Sequence, residues 1–237
     1  MARLLEISGV IECEILKRLN RFVVEVLIDG ARSRAYISNT GRLMEHIVMG
    51  KKGFCIKNPR VRKTDYRLFA VSDRGLAALI DTQMQMRTFE EAVKRGVIPW
   101  LAGYKVVKRN VKLGSSLVDY LLSCDKKLLF LEVKSAVLRG NYSYAMYPDC
   151  PTIRGRRHIR DIMNHVKKGG SGGILFIAAL PYVEAFKPYG KEDPEIPKLL
   201  QEAYKLGVLI KAISMHYDPS DSAIHMDCLD LKVILNC

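Results

Sequence analysis

The stretch Leu128-Leu-Phe-Leu-Glu-Val-Lys-Ser-Ala-Val-Leu138 limits what this chain can fold into more than any other. Its apolar residues read as a buried strand, yet Glu132 and Lys134 sit inside it. Strand side chains alternate between faces, so Glu132 and Lys134 share one face and Val133 takes the other. Burying either charge alone is costly, so each requires a partner: the other residue, a metal or a bound anion. Any fold for this sequence must supply that partner.

Around this stretch, helical and strand patterns alternate. Residues 105–108, 118–122 and 128–133 read as strands, the last two joined by a hairpin at Cys124-Asp-Lys-Lys. Ile159, Ile162, Met163 and Val166 recur at helical spacing, and Gly169-Gly170 stops that helix. The apolar run 174–180 is a fully buried strand, far too short to cross a bilayer. Asp193-Pro194 opens a helix carrying Ile196, Leu199, Leu200 and Ala203, ended by Gly207, and residues 208–213 form a further strand. Thr88-Phe-Glu-Glu91 has the form of a capping box opening a helix towards Lys94. Residues 81–237 are therefore expected to form an α/β layer structure with a mixed sheet, and to fold alone.

Residues 1–80 differ. Strand patterns fall at 11–15, 22–28, 34–38, 53–57, 66–71 and 77–80, with Asp29-Gly30 as a turn signal. So many short strands predict a small barrel, for which an OB-like barrel is one solution and an SH3-like barrel another. The expected fold class is thus a two-domain α+β and α/β protein: an OB-like β-barrel followed by a mixed sheet with flanking helices.

Lysine and arginine outnumber acids 38 to 25, a net charge of +13. Such a charge favours polyanions, chiefly nucleic acid, although a surface selected for solubility or heat tolerance has the same sign. The distribution favours nucleic acid: residues 51–67 hold seven basic residues against one acid. From this run Lys57, Arg60, Arg62 and Lys63 are candidate DNA contacts. Arg154, Arg156 and Arg157 form a second cluster, with His158 on the same side of its helix. Six scattered cysteines without a C-x-x-C pair offer neither a zinc knuckle nor a disulfide framework. The opening Met-Ala-Arg-Leu-Leu-Glu-Ile-Ser-Gly lacks the pattern of a signal peptide, so a cytoplasmic protein without membrane association is expected.

Asp119 falls on the strand that the hairpin sets beside Glu132. Asp followed by Glu-x-Lys on an apolar strand is the pattern of restriction-endonuclease-like metal nucleases. There Asp119 and Glu132 would hold Mg²⁺ or Mn²⁺ with the main-chain carbonyl of Val133, and Lys134 would orient water and neutralise developing charge. Glu91 is either a further metal carboxylate or the capping partner of Thr88. Asp149 is expected to cap the helix beginning near Thr152, and Trp100 to pack at the junction. The competing account is a structural Glu132–Lys134 ion pair with Asp119 solvated.

Asn39-Thr-Gly41, Leu101-Ala-Gly-Tyr104, Val118-Asp119, Leu131-Glu-Val-Lys-Ser135, Tyr147-Pro-Asp149 and Arg154-Gly-x-x-His158 occur in an order that resembles the sugar fermentation stimulation protein (SfsA) family. The resemblance spans nearly the whole chain. It implies DNA binding, an OB-like amino-terminal domain over residues 1–80 and a nuclease-like domain over 81–237. The expected partner is DNA, double-stranded and without strong sequence preference, addressed by a single copy or by a homodimer. Leu117 stands where that family usually carries arginine, Asn110 where a glutamate is common, and Asp81-Thr82 where it has Asn-Thr. Its Phe-Pro-Asp-Ala is Tyr147-Pro-Asp-Cys150 here. Two functions follow: a metal-dependent DNA nuclease, or a non-catalytic DNA-binding regulator of sugar metabolism that retains the fold.

Overall fold

The computed structural model describes residues 2–58, 64–141 and 143–235. The first strands are β1 (Ala2–Glu6), β2 (Val10–Asn20), β3 (Val23–Ile28), β4 (Ala31–Tyr36), β5 (Lys52–Lys57), β6 (Tyr66–Asp73) and β7 (Leu76–Leu79). Alternation drives them: in β3, Val24, Val26 and Ile28 are buried while the residues between them are only partly covered. β2, β3 and β4 pair antiparallel in sequence, β4 runs parallel to β6, β6 pairs antiparallel with β5, and β5 closes onto β2. This closed five-stranded barrel has the OB form, a choice that alternation alone leaves open.

The second half contains α1 (Thr82–Lys94), a 3₁₀ turn (Pro99–Leu101), β8 (Lys105–Leu113), β9 (Ser116–Cys124), β10 (Lys127–Ala136), β11 (Leu138–Gly140) and β12 (Tyr144–Tyr147). There follow α2 (Ile153–Lys167), β13 (Gly172–Ala178), β14 (Ala185–Pro188), α3 (Glu195–Lys205), β15 (Leu209–Asp218) and β16 (Ala223–Val233). The main sheet runs β8-β9-β10-β13-β15-β16. Its β10–β13 and β13–β15 pairs are parallel and the others antiparallel. Every residue of β13 is buried, as a central parallel strand covered on both faces requires.

Register decides what each face carries. Tyr120 of β9 lies opposite Leu131 of β10, and α1 covers that face: Phe89 packs on the Tyr120 ring, and the Tyr120 hydroxyl donates to Glu90 at 2.6 Å. Phe130 points the other way and meets His165 of α2. By alternation Glu132 and Lys134 share Phe130's side, under α2.

Two elements depart from expectation. Helix α1 begins at Thr82 rather than Thr88, because Asp81 caps it by accepting from the Met84 amide at 2.8 Å. Thr88 is instead buried within the helix and donates back to the Met84 carbonyl at 2.8 Å. Strand β1 leaves the barrel half and pairs along β16, while Arg95 donates to the Arg3 and Leu4 carbonyls. Tyr217 of β15 in turn packs edge-on against Phe54 and Phe69 of the barrel, so the two halves share a core. Trp100, expected at the junction, is instead held within the second half: its indole donates to the Leu229 carbonyl of β16 at 2.9 Å, and Lys211 of β15 lies over its ring. Among the described residues no helix is long and apolar enough to cross a membrane.

Candidate metal centre and nucleic-acid interface

The β9–β10 hairpin places Asp119 beside Glu132, one step beyond the Tyr120–Leu131 pair. The Val133 amide donates to Asp119 Oδ2 at 2.8 Å, which ties the Asp119 carboxylate to β10. Glu132 is 2% exposed. Its Oε1 accepts from Lys134 Nζ at 2.5 Å and from His158 Nδ1, while its buried Oε2 has no partner. Arg154 Nε donates to His158 Nε2 at 3.3 Å, which leaves Nδ1 as the protonated nitrogen facing Glu132.

These contacts separate the two carboxylates. Burial pushes the Glu132 carboxyl up, but Lys134 and His158 outweigh it and hold the group below its usual range. Burial pulls Lys134 down, and Glu132 more than restores it. At Asp119 the balance tips the other way: burial and the Glu132 charge outweigh the Val133 amide, Lys134 and His158 and push it up to about 6. Glu132 is thus a carboxylate satisfied on one oxygen only, beside a second carboxylate poised to gain from a cation. Two neighbouring carboxylates are hard oxygen donors suited to Mg²⁺, Mn²⁺ or Ca²⁺. Among the described residues, the one trio of His, Cys, Asp or Glu ligand atoms within 4.8 Å of one another lies elsewhere, at Asp218, Asp221 and His225.

The structure brings Asp119, Glu132, Lys134 and His158 together and leaves other expected residues apart. His158 is 3% exposed, so it holds Glu132 and does not face solvent phosphate. It lies beside Ile159 and Ile162 on the inward side of α2. Glu91 is engaged by Arg95 at 2.7 Å, on a helix lying across the opposite face of the sheet, and joins no carboxylate there. Its neighbour Glu90 does reach β9, but is occupied by Tyr120 and Arg109. Asp149 accepts from the Leu43 amide at 3.1 Å, and the α2 cap is Thr152, accepting from the Gly155 amide at 3.0 Å.

Of the arginines, Arg156 is paired with Asp193 and Glu195, and Arg160 with Glu195, whereas Arg154 and Arg157 are exposed. Lys57 is exposed at the end of β5; Arg60, Arg62 and Lys63 lie outside the described residues. Two cations escaped the sequence reading. Lys108 pairs opposite Leu121 and Lys112 opposite Leu117, so both stand on the Asp119 face from β8. Leu117 itself is 55% exposed. Lys112 therefore returns a positive charge directly across from the position where an arginine was expected. Strand alternation along β8 was the signal available for both.

The architecture defines a class: an OB barrel joined to a mixed α/β sheet whose central hairpin carries paired carboxylates and a lysine. Family models agree, the SfsA N-terminal OB domain matching residues 16–80 and the sugar fermentation stimulation protein RE domain matching residues 83–221. The chain belongs to the sugar fermentation stimulation protein family. The homolog from Pyrococcus furiosus is 43% identical over 232 residues, covering 98% of this chain and 100% of the relative. That from Archaeoglobus fulgidus is 44% identical over 233 residues, with the same coverage. A solved structure of Pyrococcus furiosus SfsA in complex with Ca²⁺ is similar at a TM-score of 0.95 and 42% identity, covering 99% of this chain and 100% of that one.

Proposed function

We propose that this protein is a divalent-metal-dependent nuclease acting on DNA, with Asp119 and Glu132 as metal carboxylates and Lys134 beside them. The observation that carries the reading is the buried, unpartnered Glu132 Oε2 next to a raised Asp119. An uncompensated acceptor at this depth is costly, and a hard cation satisfies both groups at once. The Asp…Glu-x-Lys hairpin under a flanking helix fits a restriction-endonuclease-like domain. The relative solved with Ca²⁺ supports a cation as well.

A bound Mg²⁺ or Mn²⁺ would supply Lewis acidity to the scissile phosphate and to a water. The chain's own residues do the rest. His158 fixes Glu132, Lys134 places a positive charge beside the reacting phosphate, and Lys108, Lys112, Arg154 and Arg157 hold neighbouring phosphates. The Lys134–Glu132 ion pair favours a second reading, a DNA-binding protein that retains the fold without cleaving, because that pair already satisfies both charges in part.

Calorimetric titration with Mn²⁺, paired with a cleavage assay, separates them. Wild type should take up Mn²⁺, while Glu132→Gln and Asp119→Asn should lose about tenfold or more in affinity, since each removes a negative ligand. Lys134→Met should keep metal binding, freed from cation–ammonium repulsion, and lose cleavage. Wild type that takes up no Mn²⁺ even with DNA present leaves the non-catalytic reading in its place.

A further inference from the structure

A cleft of about 350 Å³ opens between the barrel and the amino-terminal end of α2. Arg21 and Asn39 line it from the barrel side; Tyr147 and Arg154 line it from the other. It adjoins the carboxylates, because Arg154 contacts His158, which holds Glu132. Two exposed apolar side chains stand by the exposed arginines of the lining, Ile153 within the cleft wall and Phe22 next to Arg21. On the β2–β3 turn Phe22 is 45% exposed, with the Arg21 guanidinium 5.9 Å from its ring centroid. Opposite, Ile153 is 78% exposed at the first position of α2, followed by Arg154.

A single exposed apolar residue needs no explanation. Two of them, Ile153 lining the cleft beside Arg154 and Phe22 next to the lining Arg21, flank a cleft of mixed polarity beside paired carboxylates and match the chemistry of an unpaired nucleic-acid strand. Such a strand offers base faces to aromatic and apolar side chains and phosphates to arginines. A base inside a continuous duplex has its faces already stacked.

We infer that this cleft binds an unpaired DNA strand, so that the substrate is DNA with a single-stranded end or arm beside the cut phosphate, in place of the continuous duplex expected from the sequence. Phe22 and Ile153 contact base faces; Arg21 and Arg154 contact phosphates. The cutting part rests on the nuclease reading above, and the binding part does not.

The test uses the full chain and three fluorescent DNAs: a single strand, a blunt duplex of the same sequence, and that duplex with one unpaired arm. Anisotropy in Ca²⁺ reads binding, and a separate Mn²⁺ incubation reads cleavage. The single strand and the armed duplex should bind about tenfold or more tightly than the blunt duplex. Phe22→Ala and Ile153→Ala should each weaken armed-duplex binding about fivefold or more, the smallest loss expected for one base contact, and leave blunt-duplex binding unchanged. Equal affinity for blunt and armed DNA, or variants that weaken both alike, overturns the inference. Equal cleavage of the two duplexes also overturns it while leaving the nuclease reading intact. Strand-selective binding without cleavage of any DNA supports the cleft and removes the nuclease.

Discussion

At the scale of single residues, the neighbouring carboxylates Asp119 and Glu132 are shifted in opposite directions. Asp119, raised from 3.8 to about 6, binds its proton more tightly in the folded chain than in the unfolded one. Its contribution to metal-free stability is therefore fully present below about pH 4 and is lost as pH rises towards about 6, by roughly 3 kcal/mol for two pKa units. Asp119→Asn should abolish that part of the pH dependence and stabilise the metal-free protein at neutral pH, while weakening metal binding. Urea unfolding at several pH values in chelator measures the first effect. A cation reverses the sign, because it must displace the Asp119 proton below about pH 6. Mn²⁺ affinity should then fall about tenfold per pH unit on the acid side of 6 and level off above it. A flat profile would mean that Asp119 is not a ligand.

Among the elements, α1 shows how a local rule loses to a tertiary contact. Thr88-Phe-Glu-Glu91 is a sound capping box in isolation, yet Asp81 starts the helix, because its carboxylate also grips Arg67 of β6. That pairing gives the Asp81 carboxylate a structural role at the junction, and it withdraws Arg67 from the basic run. Asp81→Ala should cost about 3–5 kcal/mol, combining a lost cap with an unpaired, largely buried guanidinium. Asp81→Asn keeps the cap and loses only the charge, so it should cost less; equal and small losses in denaturant midpoint would show that the junction is held otherwise. The strands around the site were legible because β9, β10 and β13 carry their own apolar patterns, and so was the Asp119–Glu132–Lys134 face, since alternation sets the β10 pair and the short hairpin brings Asp119 beside it. What the pattern withheld was pairing at a distance. Nothing local in residues 2–6 points to β16, and nothing in Arg154-Gly-x-x-His158 shows that Glu132 waits beneath it to draw the histidine inward.

Taken whole, the molecule is less divisible than its two patterns suggest. A segment 81–237 with its own strands and helices was expected to fold alone, but it would leave β16 without β1 and Tyr217 without Phe54 and Phe69. Burial of one such aromatic is worth about 1.5–3 kcal/mol, a large share of ordinary domain stability, and an uncovered strand edge invites association. The fragment 81–237 should therefore aggregate, or unfold at markedly lower denaturant than the full chain, as size-exclusion and urea titration would show. A monomeric fragment with a sharp, full-strength transition would restore two independent units.

The pairing of Ala2 with Met226 also sets a timetable for synthesis. The ribosome releases β1 long before β16 exists, so the barrel strands have all emerged while β1 still has no edge to join. Closure of the main sheet is thereby postponed until translation is nearly complete. A stalled ribosome would hold a nascent chain with an unclosed sheet, the kind of intermediate that chaperones and proteases intercept.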